Sequence, residues 1–215
     1  MTPVIQIRRM TTIIYAVNTP RRGERMGHSR ASKREHHEEI VGVAASRFRE
    51  DGVDRVGVAD LMHLAGLTHG GFYRHFQSRD ELVVEAVERA LHDGGQAMAA
   101  VAQSPHDPLA AVIDAYLSIT HRDNLGTSCA VTTLAGDVAR SNPRARAAYT
   151  DQVGVYIDML VRLLPPGTGD RSRATAITVL STLVGAVSMA RAVNDEALSR
   201  EILASAAAEL KAQLG

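Results

Sequence analysis

The sequence predicts an all-α chain: a small N-terminal three-helix unit followed by a larger helical domain. Three observations point there. No stretch alternates apolar and polar residues long enough to read as a strand. Apolar residues recur instead at helical spacing, as at Ile40, Ala44 and Phe48. Punctuation at Gly52, Gly66, Pro105, Pro143 and Pro165-Pro166-Gly167 then cuts the chain into helix-length pieces.

The elements follow in order. A first helix is expected over 32–51, stopping at Gly52. A short second helix runs from Val58 to Leu64 and ends at Gly66. Thr68 can cap a third, ending near His75. Ser78-Arg79-Asp80-Glu81 is a capping box that starts a fourth, carrying Leu82, Val83, Ala86, Val87 and Ala90. After Gly94-Gly95 the sequence turns alanine-rich, and helices are expected near 107–120, 128–141, 143–164, 171–193 and 195–213. Four of the eight aromatics, Phe48, Phe72, Tyr73 and Phe76, fall in the small N-terminal unit, where bulky rings are needed to fill a core. The expected organisation is a basic arm over 1–30, a three-helix unit over 31–77 and a helical domain over 78–215.

At 215 residues, 45% hydrophobic and 22% charged, the composition is globular. The single cysteine, Cys129, excludes an intrachain disulfide and a thiolate zinc site. Arg8-Arg9 ahead of a short apolar stretch is a poor export signal, because Thr interrupts it and no small-residue cleavage site follows. The longest uncharged run, between Arg173 and Arg191, carries Thr, Ser and Gly and reads as a buried helix rather than a membrane span. A cytoplasmic protein without membrane contact is expected.

Net charge is zero, with 24 basic and 24 acidic residues, yet its distribution is uneven. Residues 1–34 hold 8 Lys+Arg against 1 Asp+Glu, and the remainder is acidic by the same margin. A basic arm on an acidic body points to a polyanion partner. From Leu61 to Arg79 there is no carboxylate, while His63, His69, Arg74, His75 and Arg79 stand in that window. Such a surface accepts phosphates.

The segment Val58 to Phe76 has the arithmetic of a helix-turn-helix. Ala65 permits close helix approach, Gly66 supplies a positive φ, and Thr68 opens the next helix. With Gly52, Ala65-Gly66-Leu67, Gly70, Phe72-Tyr73, Phe76, Ser78-Arg79 and Leu82 in order, the stretch from Ala31 to Glu85 resembles the DNA-binding domain of the TetR/AcrR family of bacterial transcriptional repressors. The resemblance implies an all-α fold with an N-terminal helix-turn-helix domain and a C-terminal ligand-binding and dimerisation domain. Carried over by position, it places Thr68, His69, Gly71 and Arg74 at the groove, beside Gly70. Tyr73 and His75 would reach phosphates, and Arg79 would sit at a helix N-terminus beside one. Lys33 and Arg34 on the first helix are further DNA candidates. Three departures stand out: Gly57 where a capping Ser or Thr is common, His69 where Lys is common, and Gly71 directly after Gly70. Two glycines in one short helix cost roughly 2 kcal/mol against alanine. Either they permit close approach to DNA, or Gly70 serves packing and Gly71 is incidental.

For the C-terminal domain the resemblance implies a homodimer on a palindromic operator and release by a small organic effector. The candidate seam comprises Leu180, Leu183, Val184 and Val187 on one helix and Leu198, Ile202 and Leu210 on the last. Pocket candidates are Tyr116, His121, Cys129, Thr132, Thr133, Tyr149, Val153, Tyr156 and Met159, an apolar set with a few hydroxyls. Cys129, placed to begin a helix, leaves open a thiol sensor of electrophiles or oxidants. A regulator without an effector is the other alternative. No metal, cofactor or catalytic constellation is expected: His36-His37-Glu38-Glu39 lacks the spacing of a zinc-binding helix, and His121-Arg122-Asp123-Asn124 lacks the context of a kinase loop.

Overall fold

The computed structural model describes residues 30–165 and 169–214. The basic arm therefore lies outside the described residues, apart from Arg30. Among those described there is no strand.

Helix α1 (Arg30–Asp51) buries Ile40, Val41, Ala44, Ala45 and Phe48 on one face, as the i, i+4 spacing requires. It stops where Gly52, at φ 83°, returns its N–H to the Phe48 carbonyl at 3.0 Å. Helix α2 (Val58–Leu64) closes with a Schellman motif: Gly66 N–H donates to His63 O at 3.0 Å and Leu67 N–H to Met62 O at 2.8 Å. Gly66 sits at φ 69°, so the turn depends on that residue. The third element differs from expectation. Residues His69–Arg74 form a 3-10 helix rather than an α-helix, and Thr68 precedes it without a side-chain cap. The physical reason is local: two of its six residues are the poor helix formers Gly70 and Gly71.

Helix α3 (Arg79–Val101) starts on the expected capping box. Ser78 Oγ accepts from Glu81 N–H at 3.2 Å, and the Glu81 carboxylate accepts from Gln77 N–H at 2.5 Å. It continues through Gly94-Gly95 without a break. It packs against α1 in the N-terminal unit and against α8 (Pro143–Leu163) in the larger domain. One helix thus belongs to both domains. Gly94 is a point of close approach: an added Cβ would stand 3.4 Å from Tyr156 Oη and 3.6 Å from Cys129 Cα.

The C-terminal domain comprises α4 (Pro108–Tyr116), α5 (Ile119–Asp123), α6 (Ala130–Thr133), α7 (Ala135–Ala139), α8 (Pro143–Leu163), α9 (Ser172–Ala192) and α10 (Glu196–Leu214). Two of the expected helices are each split. The first breaks at Leu117–Ser118, where Ser118 Oγ caps α5 by accepting from His121 N–H at 3.0 Å. The second is interrupted at Leu134, between α6 and α7. Asp107 and Asn142 cap α4 and α8, each followed by proline in the first turn. Helix α9 is long and apolar enough to cross a membrane by length and composition alone. It packs between α8 and α10, with Ala176, Val179, Leu183, Ala186 and Val187 in the core.

Candidate nucleic-acid interface

The 3-10 helix presents its residues by a simple alternation of packing and exposure. Phe72 and Phe76 turn inward, 2% and 1% exposed, with rings stacked at 5.3 Å. Phe76 also stacks on His37 of α1 at 4.5 Å. These rings anchor the element to α1, so the intervening residues face solvent. Tyr73 is 75% exposed, and Thr68, His69, Gly70 and Arg74 are also exposed. The structure thus brings Thr68, His69, Gly70, Gly71, Tyr73 and Arg74 together on one short element. None of these is acidic, so phosphates meet no repelling carboxylate on it.

Lys33 joins this face from α1. It borders the same depression as Thr68, Gly71, Arg74 and His75. Arg34 does not: it borders a different surface, with Glu35, Glu38 and Glu39 of α1 and Arg89 of α3. One residue along a helix turns the side chain by about 100°, which is why neighbouring cations part company. His75 is half-buried, and its Nδ1 is buried without a partner. Burial, then the charges of His37, Lys33, His36 and Arg74, push its pKa below the ordinary histidine value. Arg79 holds the backbone of the α1–α2 connection, with Nη2 donating to Val53 O at 2.5 Å and Val56 O at 3.4 Å. Its place in this structure is therefore beside carbonyls. His36 is the residue that sequence reasoning missed. It lies one turn from Lys33, and that i, i+3 relation was the available signal.

Neither glycine of the pair is demanded by backbone conformation, since neither has a positive φ. A Cβ at Gly70 would meet nothing within 4 Å, so packing does not require that glycine. At Gly71 a Cβ would make ordinary contact with Met62 Cε at 3.6 Å and Thr68 Oγ1 at 3.8 Å.

The C-terminal pocket candidates are largely committed to one another. Tyr116 and Thr132 share a hydrogen bond of 2.6 Å, and the Tyr149 hydroxyl donates to Val131 O at 2.8 Å. Burial pushes the hydroxyls of Tyr116, Tyr149 and Tyr156 to higher pKa. Thr133 Oγ1 donates to Cys129 O at 3.3 Å. Cys129 does begin a helix, but only the single turn of α6. Its thiol is buried and points at Tyr156 Oη, 3.6 Å away. An apolar crevice among Met98, Tyr116, Tyr156, Met159 and Leu183 has a volume of only about 10 Å³. That is room for one water at most.

His121 is a structural hub. Its Nδ1 donates to Tyr116 O at 2.6 Å, so Nε2 is the acceptor, taking Cys129 N–H at 3.1 Å and the Ser128 hydroxyl at 2.9 Å. Burial is the main reason its pKa lies below the ordinary value, and Arg191 adds to the depression. Arg191 of α9 donates to Ser128 Oγ at 2.5 Å and to His121 O at 2.7 Å, while Arg49 of α1 reaches Ser128 O at 3.4 Å. Ser128 thereby touches cations from both domains.

The expected dimer seam needs correction in its detail. Leu180, Leu183 and Val187 of α9 and Leu210 of α10 are buried within the chain's own core. Val184 and Ile202 are half-buried, and Leu198 is 43% exposed. On α9 it is Ile177, Ser181 and Ser188 that are exposed, with half-buried Val184 between them. Periodicity identifies an apolar helix, but it does not say which of its sides the chain's own core takes.

Comparison with known proteins agrees with this geometry. Residues 40–86 match the family model of bacterial regulatory proteins, tetR family. A stretch of 73 residues is 37% identical to the HTH-type transcriptional regulator TtgR of Pseudomonas putida, covering 33% of this chain and 34% of that protein. The probable HTH-type transcriptional regulator ArpR of Pseudomonas putida matches to the same extent. The match therefore spans about a third of the length of these curated relatives. In fold, a TetR transcriptional regulator from Chloroflexus aurantiacus superposes with a TM-score of 0.72 at 22% identity, covering 86% of this chain and 98% of that one. Escherichia coli NemR in its reduced form gives 0.70 at 20% identity, over 84% and 98%. The helix-turn-helix segment, residues 40–86, is thus similar in sequence to the tetR family of bacterial regulatory proteins, and the fold is shared along most of the chain with solved structures of such regulators.

Proposed function

We propose that the chain is a cytoplasmic, homodimeric DNA-binding transcriptional regulator rather than an enzyme. Residues 31–77 read double-stranded DNA, and residues 78–215 dimerise and control that reading. The observation that carries this is the exposed, carboxylate-free 3-10 helix, with Tyr73 standing out from a ring-packed base. The matched third of the curated relatives, which carry HTH-type regulator in their names, supports the same reading.

In this reading Tyr73 and Lys33 engage phosphates, Thr68 and His69 meet base edges, and Arg74 contacts guanine where it reaches. His75 and Arg79 act from behind the surface. The outward stripes of α9 and α10 form a four-helix seam with a second copy, and a two-fold reader matches a palindromic site. Repression released by a small organic effector is the form of control we favour. The effector must prefer a state whose reading heads are spaced for release. α3 is the lever, because it packs against both the reading head and α8.

A second reading has one observation behind it. The crevice of about 10 Å³ in the apolar core of the C-terminal domain favours a regulator without an effector buried in that core. Selection of bound fragments from a genomic library by the purified protein tests the main proposal. The expected result is a palindromic sequence bound by a dimer, with affinity falling steeply as salt rises. Recovery of no enriched sequence would overturn it. Titrating that fragment complex with a library of organic compounds separates the two forms of control.

A further inference from the structure

Room for a small molecule is found at the reading head rather than in the apolar core of the C-terminal domain. A depression of about 560 Å³ lies between α1 and the 3-10 helix, within the usual size range of small-molecule sites. Its apolar side is Leu67, over the buried Met62. Its walls carry Lys33 and His36 from α1, and Arg74 and His75 from the other side. Among the described residues, no acidic one borders it. Glu85, the carboxylate nearby on α3, is paired with His37 at 2.6 Å. The space exists partly because Gly71 has no side chain, and neither backbone conformation nor crowding requires glycine there.

We propose that this depression binds a small amphipathic anion, an aromatic or aliphatic ring system bearing a carboxylate or sulfonate. The apolar body rests on Leu67, above the buried Met62. The anionic head lies between Lys33 and Arg74, beside the rings of His36 and His75. Because Lys33 and Arg74 also face DNA, the occupant competes with DNA for the reading head directly. The competition rests on the regulatory reading above, whereas the binding does not.

The probe is 8-anilinonaphthalene-1-sulfonate, with the neutral N-phenyl-1-naphthylamine as its uncharged counterpart. Binding is measured on the full chain by fluorescence, and located from the Met62 methyl and the His36 and His75 ring signals by NMR. The sulfonate is expected to bind once per chain and shift those signals, with the neutral compound at least 10-fold weaker. A Lys33→Gln, Arg74→Gln double variant is expected to lose at least 10-fold. Gly71→Leu, which a Cβ at ordinary contact distance allows, fills the space and abolishes binding. Retained thermal melting of each variant shows that folding is intact. Unchanged affinity in both variants, or shifts confined to residues outside the depression, overturns the site. Displacement of a bound DNA duplex by the sulfonate is the separate arm for competition. If the protein binds the sulfonate at Met62 but no DNA at all, the regulatory reading fails and the site stands.

Discussion

Phe72 and Tyr73 are adjacent aromatic residues whose substitutions are expected to have opposite consequences. Phe72 is 2% exposed and stacks on Phe76, whereas Tyr73 is 75% exposed with its ring edge-on to Phe72 at 5.3 Å. Removing the Tyr73 hydroxyl takes nothing from the core, so Tyr73→Phe should change stability by less than about 0.5 kcal/mol. In the proposed DNA-bound state that hydroxyl donates to a phosphate, and losing such a bond costs about 1 kcal/mol. A dimer loses it twice, so operator binding should weaken by about 2 kcal/mol, roughly 30-fold. Phe72→Ala instead deletes a fully buried ring, at about 3–5 kcal/mol, and the reading head should melt before DNA affinity is measurable. Fluorescence anisotropy on an operator duplex and thermal unfolding by circular dichroism read the two effects. Equal DNA affinity for Tyr73→Phe and the parent would refute the role of the hydroxyl. A large drop in melting temperature for Tyr73→Phe would refute the geometry.

Three further expectations follow from the same structure. Gly66→Ala places a Cβ on a residue at φ 69°, where nothing crowds it within 4 Å, so the cost is backbone strain alone, about 1 kcal/mol by denaturant unfolding. His75 and His121 both titrate below the ordinary histidine value of 6.5, so the folded state resists protonation. Their contribution is present above that value and is lost as pH falls through it towards the folded pKa. Unfolding free energy should therefore decline below pH about 6.5, with a shallower slope in His121→Gln. Finally, Ile177→Glu with Ser181→Glu puts carboxylates on the outward stripe of α9, away from the chain's own core. Sedimentation should find monomers, and a dimer of unchanged strength would remove α9 from the seam.

Several features were legible in the sequence because their causes are local. Gly52 and Gly66 terminate helices through the conformations that glycine permits, and both stand at positive φ. Ser78 caps the Glu81 N–H three residues on, and Glu81 reaches back to Gln77 N–H, so no distant contact is needed to predict this helix start. Of the four rings expected inside from a small unit's need for bulk, Phe48, Phe72 and Phe76 are buried, whereas Tyr73 is 75% exposed. The ordering of the helix-turn-helix segment, which carries the family resemblance, is likewise a matter of spacing.

Other features depended on which surfaces meet. Arg79 was legible as a cation at a helix start, but only the folded chain turns it towards the carbonyls of Val53 and Val56. Lys33 and Arg34 are equal in sequence, and only the docking of α1 against the reading element separates them. Leu183 and Val187 are as apolar as a dimer seam requires, yet they fill the chain's own core because α9 has neighbours on two sides. Helices, their stops and the identity of the reading element are thus written in the order of residues, since they arise from interactions a few positions apart. Which polar and charged side chains face solvent, a depression or a carbonyl is settled only when the helices dock. Their direction depends on packing between elements far apart in the chain, and no local preference encodes it.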